Sequence, residues 1–123
     1  MLTCLPLTLL GQELECCKSV EQVGTYINGT WKMKNSDKND QLRFEFSDEL
    51  GKFWRHKFND YGELDEIEEI NQTLEIFETK SGFEIDWSEG HRIVTSKIKI
   101  LNTTSLILVR RDGKESEYDK IVE

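Results

Sequence analysis

The chain is poor in the residues that staple, kink or metallate a protein: among 123 residues there are three cysteines, one proline and two histidines. Cys16 and Cys17 are adjacent. Because ordinary disulfides join more widely separated Cα atoms, no intramolecular bridge is expected. Two histidines exclude a His-rich metal cage, and no C-x-x-C, H-E-x-x-H, G-x-S-x-G or phosphate-cradling loop is present. The reading therefore calls for no metal, no cofactor and no enzyme activity. Basic residues are also short, with 16 Lys and Arg against 24 Asp and Glu and a net charge of −8. A phosphate backbone is bound by clustered basic side chains, so this balance argues against nucleic-acid binding. No apolar run approaches the ~18 residues that a bilayer helix needs, which argues against a membrane span.

What remains is enough for one domain. A chain of this size can bury roughly two-thirds of its unfolded surface and needs no staple to hold a core. Residues 1–10, MLTCLPLTLL, carry no charge, and Gly11-Gln12-Glu13 turns the composition polar. The pattern predicts an export leader over residues 1–12 and a secreted, periplasmic or cell-envelope protein. The basic region that should open such a leader is missing, which fits a start upstream of Met1; a native N-terminal strand or packed segment is the alternative. Cys4 would leave with the leader, and Leu2-Thr3 lacks the small residue expected before a lipidated cysteine. In the segment 13–28, Ser19 and Gln22 form a capping-box pair ahead of Val20, Val23 and Ile27 at helical spacing. A short helix is expected there.

From Gly29 onward the rhythm changes to short runs separated by turn residues: 29–34, 41–47, 52–59, 63–70, 73–79, 83–87, 91–101, 105–110 and 115–121. Leu42, Phe44 and Phe46 alternate with Arg43 and Glu45; Phe83, Ile85 and Trp87 alternate with Glu84 and Asp86. This period of two is that of strands with one buried face. Asn35 to Asp40 is entirely polar, Gly51 and Gly82 supply positive φ, and Asp112-Gly113 signals a two-residue hairpin. Eight or nine strands joined by short loops predict an all-β antiparallel up-and-down meander over 29–123. Closure into a barrel removes its edges, with a two-sheet sandwich as runner-up. Residues 63–70 are ambiguous, because their apolar residues recur at steps of three and suit a helix as well as a strand. Their five carboxylates lack the ligand alternation of a calcium loop and read as a solvated face.

Gly29-Thr30-Trp31, a G-x-W at the start of the first strand behind a short helix, resembles the signature of the lipocalins and the wider calycin group. The short-loop meander that follows, ending in Leu106-Ile107-Leu108-Val109, the Asp112-Gly113 turn and a strand around Tyr118, is similar to small bacterial lipocalin-like domains. The resemblance implies a lipocalin-like barrel with Gly29 and Trp31 at its closed end and a basic side chain from near the last strand over the indole. Arg110, Arg111 and Lys120 all stand in range. It also implies an interior able to hold one small apolar or amphipathic ligand. The expected lining is Phe44, Phe46, Trp54, His56, Phe58, Ile76, Phe83, Ile85 and Trp87. On the third run either Trp54, His56 and Phe58 face inward, or Phe53 and Arg55 do, and a one-residue shift exchanges the sets. A barrel filled by its own side chains is the other possibility; its acidic surface would then dock a protein partner, as an inhibitor, immunity or envelope component does. Asp86, Ser88 and His91 hold the residue types of a nucleophilic triad but crowd one hairpin, where triad geometry is rarely reached. Sequons begin at Asn28, Asn71 and Asn102 and read as ordinary strand-end residues.

Overall fold

A computed structural model describes residues 14–34, 40–89 and 91–121. The expected leader over 1–12, with Cys4, and most of the polar connection after Lys34 lie outside the described residues. A short helix, α1 (Val20–Ile27), leads into eight strands: β1 (Gly29–Met33), β2 (Gln41–Ser47), β3 (Leu50–Phe58), β4 (Leu64–Thr79), β5 (Gly82–Glu89), β6 (Arg92–Leu101), β7 (Ser105–Arg110) and β8 (Glu115–Lys120). Each pairs antiparallel with the next, and β1 pairs with β8, so the sheet closes on itself as an up-and-down barrel. The fold class read from the alternation is the one observed. The architecture is consistent with a calycin-like barrel.

The capping box at α1 forms with a shift of partner. Ser19 Oγ accepts from the Gln22 N–H at 3.2 Å, but Gln22 Oε1 accepts from the N–H of Lys18, at 2.6 Å. The Gln22 N–H, one of the orphan donors of the first turn, and the Lys18 N–H just ahead of the cap are satisfied this way. The helix buries Val23, Gly24 and Ile27. Gly24 permits its approach to the barrel, since a Cβ there would lie 3.1 Å from both Phe46 Cβ and the Asp48 carbonyl. Asn28 then acts as a substitute strand partner: its side-chain oxygen accepts from the Phe46 N–H at 2.5 Å and its amide donates to the Phe46 carbonyl at 3.3 Å. In the third sequon, Asn102 caps its own turn by accepting from the N–H groups of Thr104 and Ser105.

Four expectations are corrected. First, the runs 63–70 and 73–79 are one strand of 16 residues. A bulge absorbs the polar middle: Gly51 stands opposite Leu74 and Phe53 opposite Ile70, so residues 71–73 face Lys52 alone. Second, Gly51 is not a positive-φ position. The left-handed residue of that turn is Asp48, with φ 58°. Gly51 is required because the Phe46 ring lies on it, 2.5 Å from where a Cβ would be. Third, Asp112-Gly113 belongs to a three-residue loop. The Gly113 N–H donates to the Arg110 carbonyl, the Arg110 N–H donates to the Lys114 carbonyl, and Gly113 takes φ 88°. That is a type I turn followed by a left-handed glycine. Fourth, Cys16 and Cys17 are bonded to each other. A turn in which the Cys17 N–H donates to the Leu14 carbonyl carries the pair, with Cys17 buried in the core cluster and Cys16 packed half-buried against it.

Residues opposite one another on paired strands share a face. The inner face is continuous from Trp31 through Phe44, Phe53, Leu74, Ile85, Ile98 and Leu106 to Tyr118, all buried. Deep burial is concentrated at the end where α1 sits. At the opposite end the inner side chains become polar.

Candidate functional site

The two ends of the barrel are built differently. At the α1 end, Trp31 is fully buried and its Nε1–H donates to the Ile27 carbonyl at 2.8 Å. Lys120, opposite Trp31 in the β1–β8 pairing, places its Nζ 4.8 Å from the ring centroid and donates to the carbonyls of Asn28 (2.6 Å) and Tyr26 (3.1 Å). Of the three basic residues in range, Lys120 is therefore the one over the indole. Arg110 lies at the other end of the barrel, and Arg111 is exposed in the β7–β8 turn. Burial lowers the Lys120 ammonium from its ordinary value. Gly29 makes room for its stem, because φ is 125° and a Cβ would sit 2.8 Å from Lys120 Cε. This end is closed by a cation–π contact, two charge-assisted hydrogen bonds and the helix.

The middle of the barrel is occupied by buried side chains. Phe44, Phe53 and Trp87 stack mutually, with ring centroids 5.7, 6.1 and 5.3 Å apart and Trp87 edge-on to both phenylalanines. Such geometries add about 0.5–1.5 kcal/mol per pair beyond area burial. Beneath them Leu74, Ile76, Phe83, Ile85 and Ile98 are buried.

Above this plug, at the open end, lies a cleft of about 210 Å³ lined by Gln72, Trp87, Val94, Ser96, Leu108, Arg110, Ser116 and Tyr118. The register builds it from β4 to β8: Trp87 faces Val94, Ser96 faces Arg110, Leu108 faces Ser116, and Tyr118 lies beside Leu106. Its walls are therefore apolar at Trp87, Val94 and Leu108. A set of hydrogen-bonding groups converges from the other positions. Tyr118 is buried, and that burial pushes its phenol up from the ordinary value, with a hydrogen bond to Ser116 pulling the other way. The Arg110 guanidinium donates to Asp112 at 2.7 Å, on the rim. This contact, with the Lys114 N–H, holds the Asp112 carboxyl below its usual value.

The expected lining divides three ways. Phe44, Ile76, Phe83 and Ile85 are buried in the packed part of the barrel; Phe46 is half-buried at the closed end, over Gly51 and against Gly24. Trp87 reaches the cleft. On β3 the register selects the other parity: Phe53 pairs with Phe44 and Ile70 and is buried, so Arg55 shares the inner face, and Trp54 and His56 stand on the outer one. Phe58, opposite Leu64 at the far end of β3, is outside the cleft as well. Two adjacent aromatics, Phe53 and Trp54, fit a core equally well by type, and only their cross-strand partners distinguish them. The polar lining was missed, although its signal is present: Leu106, Leu108 and Arg110, then Ser116, Tyr118 and Lys120, each run at a period of two.

Of the crowded triad types, Asp86 accepts from the Thr95 hydroxyl at 2.6 Å across the β5–β6 pair, and His91 is exposed in the turn. A second depression, about 390 Å³, lies at the closed end beside Asn28, Gly29, Phe44 and Lys120. Its ionic groups are already engaged, Arg43 with Glu45 at 3.1 Å and Lys120 with the two carbonyls. It is a seam of the closure. Among the described residues no cluster of three or more His, Cys, Asp or Glu side chains could hold a metal ion, and no helix is long and apolar enough to cross a membrane. No protein-family model matches the chain, and neither a curated protein nor a solved structure matches it.

Proposed function

We propose that this is an exported, non-catalytic binding protein that holds one small amphipathic molecule at the open end of a calycin-type barrel. The observation that carries the reading is the asymmetry of the barrel. One end is closed and its middle is packed, while the other end keeps a cleft with an apolar wall and several convergent polar groups, the composition of a small-molecule site. Size narrows the ligand. The 210 Å³ falls below the ~300–1,000 Å³ of drug-sized sites. A compact molecule fits, with its apolar part on Trp87 and Leu108 and its polar end at Tyr118, Ser116 and Arg110. Long acyl chains and sterols exceed the volume of the cleft. The uncharged run 1–10 and the Cys16–Cys17 bond support export, because disulfides persist in oxidising compartments.

The test is the thermal midpoint of the protein against a panel of compact aliphatic and aromatic acids, alcohols and amides, with long-chain fatty acids and sterols alongside. A ligand at a hundred times its dissociation constant adds about 2.7 kcal/mol, a shift of several degrees for a domain of this size. The reading expects a shift from a compact class, lost in Trp87→Ala. No shift from any compound, or one that survives Trp87→Ala, contradicts it.

A further inference from the structure

We propose that the N-terminal half of β4, residues 65–71, is a docking strand for an extended polypeptide segment in which basic residues alternate with apolar ones. β4 runs from Leu64 to Thr79, but β5 pairs with it only from Thr73 to Thr79. Ahead of Thr73, the described residues give β4 a strand partner on the β3 side alone. Its other edge presents the backbone N–H and C=O groups that an added strand pairs with. Seven residues of edge extend about 23 Å at ~3.3 Å per residue, enough for a short peptide.

The side chains specify the guest. On the outer face Leu64 and Ile67 are 52% and 56% exposed, beside the half-buried Phe58 and His56 of β3. They offer an apolar strip that alternate residues of an added strand would extend. Charge selects the rest: Asp65, Glu66, Glu68 and Glu69 crowd the same stretch. Only Glu68 has ionic partners among the described residues, Arg55 at 3.5 Å and Lys57 at 3.7 Å. Glu66, opposite Lys57, shares the inner face with Glu68, so basic side chains of the guest meet this face while its apolar ones follow Ile67 on the outer face. The same charges disfavour a second copy of this chain, since two such edges paired together would place carboxylates against carboxylates. The guest is thus a basic and apolar strand, and its site is separate from the cleft.

The experiment uses a labelled, end-capped Lys-Val-Lys-Val-Lys-Val-Lys peptide and fluorescence anisotropy on the whole protein. The peptide should bind and slow amide hydrogen exchange within residues 65–71, and a Glu-for-Lys counterpart should bind at least tenfold more weakly. Because an added strand bonds its neighbour through alternate residues, N-methylation of one alternate set should abolish binding and N-methylation of the other should be tolerated. Glu66→Lys with Glu69→Lys should weaken the Lys peptide at least tenfold. No binding by the Lys peptide, equal binding by the Glu peptide, or equal binding by both N-methylated forms overturns the proposal without reference to any variant's folding.

Discussion

Lys120→Met tests the closed end of the barrel most sharply. The substitution keeps an unbranched stem of similar reach against Gly29 and removes the ammonium, and with it three contacts: the Trp31 ring at 4.8 Å and the carbonyls of Asn28 and Tyr26 at 2.6 and 3.1 Å. A cation–π contact with a partly desolvated ammonium contributes about 1 kcal/mol. Hydrogen bonds to a charged group contribute about 1.5–3 kcal/mol each when buried; Asn28 and Tyr26 are only half-buried, so water can recover part of that and a total loss of about 2–3 kcal/mol is expected. At about 4 °C per kcal/mol for a domain of this length, the midpoint falls by roughly 8–12 °C. Lys34→Met is the control, because Lys34 meets Asp119 at 3.6 Å and Glu117 at 4.0 Å on the surface. Exposed pairs of this kind contribute at most about 1 kcal/mol. Urea unfolding followed by tryptophan fluorescence measures both variants at once. A Lys120→Met loss no larger than that of Lys34→Met refutes the argument that this side chain closes the barrel.

Two further changes probe the packing and the cleft. Gly51→Ala places a methyl group 2.5 Å from the Phe46 ring and should cost about 1–3 kcal/mol by overpacking, measured by urea unfolding; a neutral or stabilising result would show that the ring does not rest on the backbone there. Tyr118 ionises above the ordinary phenol value of about 10, so its folded form keeps the proton longer than its unfolded form. Its contribution to stability is complete below pH ~10 and is lost as the pH rises through the raised folded value. Tyr118→Phe should therefore delete the most alkaline part of the phenolate absorbance titration and flatten the alkaline loss of stability; amplitude lost from the ordinary phenol range instead would place the phenol in solvent.

The parts of this fold that were legible are those where the period of two coincides with one buried face. Leu42, Phe44 and Phe46, and Phe83, Ile85 and Trp87, signal their strands because their intervening residues are charged. β4 was not legible as one strand, since the bulge that carries residues 71–73 past Lys52 leaves the polar Asn71-Gln72 looking like a turn. The direction of β3 was equally hidden: Phe53 and Trp54 are neighbours, and the choice is made by Phe44 and Ile70 on other strands. Lys120 could be chosen over Arg110 only once the β1–β8 register had set it opposite Trp31. The cleft followed the same rule. Gln72, Ser96 and Ser116 are ordinary strand polar residues by type, and closure of the barrel is what brings them to one place.

The site is tested most directly by the indole N–H resonances of the three tryptophans, titrated with the compound that most raises the thermal midpoint. They report three separate places: Trp31 in the closed end, Trp54 on the outer face of β3, and Trp87 between the packed plug and the cleft. The account predicts that the Trp87 resonance moves with saturation while those of Trp31 and Trp54 stay in place. Movement of Trp54 with Trp87 unmoved would put the ligand on the outside of the barrel and contradict the reading of the open end as the binding site.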